Sequence, residues 1–109
     1  MKIVVDGMGG DNAPLEIVKG AVEAAVLTEH KIILIGDETK INNELGKYKY
    51  NTEQISVVHA SEVISNDDAP VKAVRTKQDS SMVKGINMVK SGEADLFVSA
   101  GNTGALMAA

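Results

Sequence analysis

Cysteine is absent, so disulfides, thiolate metal ligands and an acyl-cysteine intermediate are all excluded for this segment. Tryptophan is absent too, and with one phenylalanine and two tyrosines the core has to be aliphatic. Only two prolines interrupt the chain. No apolar run approaches the roughly 20 residues of a membrane span. Met1-Lys2 is followed by only Ile3-Val4-Val5 before Asp6, which is not the pattern of a signal peptide. The expected location is the cytoplasm. A formal net charge of −4 argues against nucleic acid as a partner. The 109 residues suffice for one domain and are too few for two.

What is present alternates in type. Ile3-Val4-Val5, Ile32 to Ile35, Ile55 with Val57 and Val58, and Leu96-Phe97-Val98 are short apolar runs, the form of parallel strands covered on both faces. Between them, Leu15, Val18, Val22, Ala25 and Val26 recur at helical spacing behind Pro14, with Asp11 or Asn12 as cap. Asp37 caps a short helix bearing Ile41 and Leu45, stopped by Gly46. Residues 60–70 are irregular and acidic, a surface excursion. A helix from Pro70 turns Val71 and Val74 inward, and Ser80 or Ser81 caps another whose stripe is Met82, Val83, Ile86 and Val89. The pattern predicts an α/β fold, a doubly wound and mostly parallel sheet with helices on both faces, in strand order 3-2-1-4. The last apolar helix is short and uncapped, so residues 1–109 are expected to be the N-terminal α/β portion of a longer chain.

In that order strands one and four are neighbours where the winding reverses, the place where such sheets bind ligands. Two glycine-rich turns follow those strands, Gly7 to Pro14 and Ser99 to Gly104. Glycines let the backbone approach a ligand, and amides at a helix start point together at the positive end of its dipole. A phosphate-sized anion suits that geometry. Residues 70–92 also carry Lys72, Arg75, Lys77, Lys84 and Lys90 against Asp79 alone, a basic arc on an acidic chain. It is either an anion-facing surface or a solvated helix face. His30 and His59 are isolated and read as structural or solvent-facing, and no metal site is expected.

Asp6-Gly7-Met8-Gly9-Gly10-Asp11 with Ala13-Pro14, then Arg75 to Ser80-Ser81-Met82, Gly92-Glu93-Ala94-Asp95 and Ser99 to Met107 together resemble the PlsX family over the whole chain. These are bacterial phosphate acyltransferases of phospholipid synthesis. The resemblance implies a fold similar to isocitrate and isopropylmalate dehydrogenases. It implies transfer of a fatty acyl group from acyl carrier protein to inorganic phosphate, giving acyl phosphate for a membrane glycerol-phosphate acyltransferase. It also implies a homodimer, peripheral membrane association and no cofactor beyond phosphate as substrate. The rest of the active site and the dimer surface are expected in the part of the family chain that lies outside these residues.

With the resemblance in hand, the amides from Gly101 to Gly104 and the side chains of Asn102 and Thr103 are expected to grip phosphate, beside Ser99, Gly9 and Gly10. Asp6 and Asp11 are expected to fix the first loop or orient another group, because a carboxylate beside phosphate repels it; a general-base role for Asp11 is the second choice. Arg75, Lys77 and Lys84 are candidates for meeting phosphate or the acidic carrier protein. Ser80 and Ser81 are candidates for a further anion-holding helix start, against a plain cap and a solvated face. Three other readings stand beside this one. A phosphate acetyl- or butyryltransferase would take acyl-coenzyme A. A nicotinamide dehydrogenase is disfavoured because Asn12 stands where the dinucleotide fingerprint has its third glycine. A non-catalytic fragment or binding module is the remaining one; the 109 residues alone are expected to be inactive.

Overall fold

The computed structural model describes residues 1–10, 12–65, 67–101 and 103–109, with the side chain of Thr103 left outside the description. Four strands, β1 (Lys2–Asp6), β2 (Lys31–Gly36), β3 (Ile55–His59) and β4 (Leu96–Val98), alternate with five helices. These are α1 (Leu15–Leu27), α2 (Glu38–Leu45), α3 (Pro70–Thr76), α4 (Ser81–Lys90) and α5 (Thr103–Ala108). All strand pairs are parallel, in the order β3-β2-β1-β4. Val4 is paired with Ile33 on one side and Phe97 on the other.

Each strand alternates its side chains between two faces, and both faces are covered except at the edge strand β4. There, against expectation, Leu96 and Val98 are exposed and only Phe97 packs inward. Ile32, Leu34 and Ile55 pack with Val18, Ala21, Val22 and Ala25 of α1 and Ile41 and Leu45 of α2. Val4 and Ile35 point the other way, into a cluster with Ala60 and Ala94 that Met88, Val89 and Phe97 complete from α4 and β4. A third cluster of Ile64, Ala73, Met82, Val83 and Ala105 joins α3, α4 and α5. The sheet is therefore doubly wound, with the strand order expected from the sequence.

Several local readings need correction. Pro14 stands one residue before α1, after a cis peptide bond to Ala13, and makes no side-chain cap. Asn12 meets the Glu16 amide with its backbone carbonyl, and Asp11 lies outside the described residues. The buried stripe of α1 includes Ala21, while Leu15 and Val26 lie on its flank and are exposed. In α3 the buried residue is Ala73, and Val71 is 56% exposed; Val74 is half-buried, as expected. The stretch after β3 is more than a surface excursion. Ile64 is buried, Glu62 bridges Ser80, and the Ser61 N–H and hydroxyl both donate to Asp79, at 2.9 and 2.6 Å. This loop is thus held down against the turn between α3 and α4.

The caps follow the expected chemistry elsewhere. Asp37 accepts from the Thr39 and Lys40 amides, Gly46 ends α2, and Ser80 accepts from the Val83 amide at 3.1 Å. Gly92, at φ +83°, makes the left-handed turn after α4 that a side chain would strain.

Candidate functional site

β1 and β4 end side by side, and the glycine-rich turns that follow them touch. A methyl group on Gly9 would sit 2.9 Å from the Gly101 nitrogen, the Ser99 Oγ and an Asp6 carboxylate oxygen alike. One on Gly101 would lie 3.6 Å from the Gly9 Cα and 3.3 Å from the Met82 methyl. No residue but glycine fits at position 9 without moving backbone, which is why the sequence has no Cβ there.

Beneath this contact lies the carboxylate of Asp6, 3% exposed at the end of β1. It accepts three hydrogen bonds. The Ser81 hydroxyl donates to Oδ1 at 2.6 Å, the Met8 amide to Oδ1 at 3.0 Å, and the Ser99 hydroxyl to Oδ2 at 2.8 Å. Ser99 Oγ in turn accepts from the Gly101 amide at 3.0 Å. One buried carboxylate therefore ties together the first corner, the start of α4 and the second corner. The Met8 side chain folds back over Gly36, where a methyl group would come within 2.5 Å of its Cγ.

A cleft of about 250 Å³ opens beside the two corners. Met8, Gly10 and Gly101 form one wall; Val63, Ile64 and Ser65 form the other, with Asp67 also at the lining. The cleft offers Met8 and glycine backbone on one side and Val63 and Ile64 opposite, with Ser65 and Asp67 as its polar lining.

The candidate residues divide by position. Gly9, Gly10, Ser99 and Gly101 are brought together at the corners. Ser99 and Ser81 spend their hydroxyl protons on Asp6, and the Gly101 amide points inward to Ser99. Ser80 caps α4. Thr103 and Gly104 open α5. Asp11 and Asn102 lie outside the described residues.

The basic arc is engaged locally. Lys77 Nζ holds Asp68 at 2.8 Å and the Val63 carbonyl at 2.8 Å, bracing the wall of the cleft. Lys84 Nζ holds the His59 carbonyl at 2.7 Å and Asp79 at 3.2 Å. Arg75 is exposed on α3. The Lys77 ammonium, then the Ser65 amide, keep the Asp68 carboxyl below its ordinary range. The Ser61 hydroxyl and amide, and after them Lys84, hold Asp79 well below it.

The sequence pointed to both glycine corners and to Asp6 as a fixer of the first loop, which its bond from the Met8 amide bears out. It did not point to the Ser81 and Ser99 partners of Asp6, nor to Met8, Val63 and Ile64 around the cleft. One signal for those partners was available: an acid that directly continues the apolar run Ile3-Val4-Val5 has to be buried and therefore needs donors.

Comparison with known proteins places this geometry in context. The sequence pattern of a family described as "Fatty acid synthesis protein" matches residues 1–109. A phosphate acyltransferase of Clostridioides difficile (strain 630) is 51% identical over 108 residues, covering 99% of this chain and 32% of the relative. One from Halothermothrix orenii is 53% identical over 109 residues, covering 99% and 33%. One from Geobacillus thermodenitrificans is 54% identical over 110 residues, covering 100% and 32%. The chain spans about a third of the length of these relatives. Among the described residues no helix is long and apolar enough to cross a membrane.

Proposed function

The chain belongs to the fatty acid synthesis protein family, and from that premise we propose that the full-length protein is a phosphate acyltransferase. It moves a fatty acyl group from acyl carrier protein to inorganic phosphate and releases acyl phosphate, which a membrane glycerol-phosphate acyltransferase consumes. The observation that carries this reading is the contact of Gly9 with Gly101 at the mouth of the β1–β4 pair.

Phosphate near neutral pH brings its own nucleophilic oxygen, so neither a cofactor nor an activated side chain is required. Its attack on the thioester carbonyl forms the new P–O–C link and a tetrahedral oxyanion. Collapse breaks the C–S bond and expels the carrier's thiolate, which takes up the proton that the attacking phosphate gives up. The protein's part is to hold the two reactants in line and to present donors to the developing charge. The Gly101 amide is turned inward, so the gripping donors are assigned to residues 102–104, with Asn102 and Thr103 side chains among them. Each charge-assisted hydrogen bond contributes on the order of 1.5–3 kcal/mol. Gly9 and Gly10 admit the phosphate, and the Met8–Val63–Ile64 surface receives the start of the acyl chain. Asp11 orients the first corner. Arg75, exposed, is left for the acidic carrier protein, with a homodimer and a peripheral place at the membrane completing the assembly. The second reading exchanges the carrier protein for coenzyme A.

Turnover by the full-length protein with acyl carrier protein, acyl-coenzyme A and NAD as alternative co-substrates tests this. Phosphate-dependent acyl phosphate formation from the carrier protein is the expected result. Preference for acyl-coenzyme A moves the assignment to the second reading, and NAD reduction or no turnover overturns both. Amide resonances of residues 102–104 are expected to shift on titration with inorganic phosphate.

A further inference from the structure

We propose that Asp6 is the positioning residue of the phosphate site, holding the second glycine corner in register with the first through Ser99; this rests on the reading just given. Asp6 touches no ligand position itself, being buried beneath Gly9. Among the described residues no cation pairs with it. Its charge is met by donors from three places in the chain, residues 8, 81 and 99. The path Gly101 N–H to Ser99 Oγ–H to Asp6 Oδ2 ties the second glycine corner to the end of β1, over a sequence separation of 93. Among the described residues the corner is otherwise held by the close approach of Gly101 to Gly9 and Met82 and by its connection to β4, a strand of three residues.

The division of labour between the two carboxylate oxygens makes the proposal testable. Oδ1 takes the Met8 amide, which can only donate, and also the Ser81 hydroxyl. In Asp6→Asn the amide oxygen therefore stays on that side, and its NH₂ group faces Ser99. Ser99 Oγ already accepts from Gly101, so its own proton has to turn away and the link is reversed. Asp6→Asn thus reverses the connection and strips it of its charge, Ser99→Ala removes it, and Ser99→Thr keeps the hydroxyl.

The experiment uses the full-length protein and reads the phosphate KM against kcat, together with hydrogen exchange at the Gly101 amide. Ser99→Ala is expected to raise the phosphate KM by about 10- to 100-fold, the size of one buried charge-assisted hydrogen bond, and Asp6→Asn by a smaller factor, each with less change in kcat. The Gly101 amide is expected to exchange faster in both. The double variant is expected to be no worse than the poorer single one, because one link cannot be lost twice. Ser99→Thr restores KM to near the parent value. Gln54→Ala, a destabilising change at the opposite end of the sheet, controls for stability and leaves KM unmoved. Unchanged KM in Asp6→Asn and Ser99→Ala overturns the proposal, whatever the exchange rates show; so does additivity of the two losses, or an equal rise in Gln54→Ala. Failure of the functional reading looks different: the parent protein then neither turns over acyl carrier protein nor binds inorganic phosphate.

Discussion

The ring of Phe97, on β4, occupies the space that a side chain at residue 85 would need, on the facing turn of α4. A methyl group built on Gly85 collides with the ring edge, at Cε1 and Cδ1. Helix and strand approach so closely because one of them has no side chain at that point, and this contact seats α4 against the half of the sheet that carries the site.

Gly85→Ala is therefore expected to destabilise the protein. Alanine gains about 1 kcal/mol of helix propensity over glycine. Overpacking against an aromatic ring costs about 1–3 kcal/mol and prevails. Urea unfolding of the full-length protein measures the difference, and Phe97→Leu in the Gly85→Ala background is expected to recover part of it.

Gly20→Ala tests the same substitution without the obstacle. Gly20 lies within α1, is exposed, and has nothing within 4 Å of a built Cβ. The change is expected to stabilise by about 0.4–1 kcal/mol, through helix propensity and a less disordered unfolded chain. A raised urea midpoint with an unchanged slope is the signature.

Gln54 closes the C-terminal end of α1, which has no basic residue in its last turn. Its side-chain amide nitrogen donates to the carbonyls of Ala25, Thr28 and His30 at 2.8, 2.8 and 3.0 Å. Gln54→Ala is expected to cost about 1–3 kcal/mol, because part-buried acceptors lose their donor. Gln54→Glu is expected to cost more, since it sets a carboxylate against three carbonyls and the negative end of the helix.

Asp79 supplies an acid limb to the stability profile. Its folded-state ionisation lies well below the ordinary value of 3.8, first because of the Ser61 hydroxyl and amide and then Lys84. A carboxylate depressed in the folded state adds stability in full above its unfolded value, and loses it as pH falls through the folded one. Asp79→Asn is expected to lower stability modestly at neutral pH, the site being largely solvated, and to flatten the decline below about pH 4. Parallel acid limbs in the two proteins would contradict it. Because the Asp79 carboxylate fastens Ser61 to the turn before α4, the same variant is expected to loosen the start of the loop that leads to the Val63–Ile64 wall of the cleft, while the backbone links to Glu62 remain.

Much of the architecture was legible because it is written in local periods. The apolar runs at 3–5, 32–35 and 96–98 announce strands, Asp37 and Ser80 announce helix starts, and Gly46 and Gly92 announce stops. The order β3-β2-β1-β4 follows from winding rules, and it alone places the two glycine corners side by side. Misreadings arose where one residue's phase mattered. Val71 faces water and Ala73 the core, since a seven-residue helix offers too few turns for its stripe to be read from sequence. Ile64 was hidden among polar neighbours that bind one another.

The sequence alone determined which segments are strands and helices and where the glycines stand, because periods of 2 and 3.6 residues and the steric freedom of glycine are properties of neighbouring residues. Only the tertiary structure decided that Asp6 draws its donors from residues 8, 81 and 99, that Phe97 fills the gap at Gly85, and that Lys77 and Lys84 are engaged by their own acids. Those pairings join points as much as 93 residues apart, and they are set by how helices and strands pack in space. No local pattern in the chain carries that information.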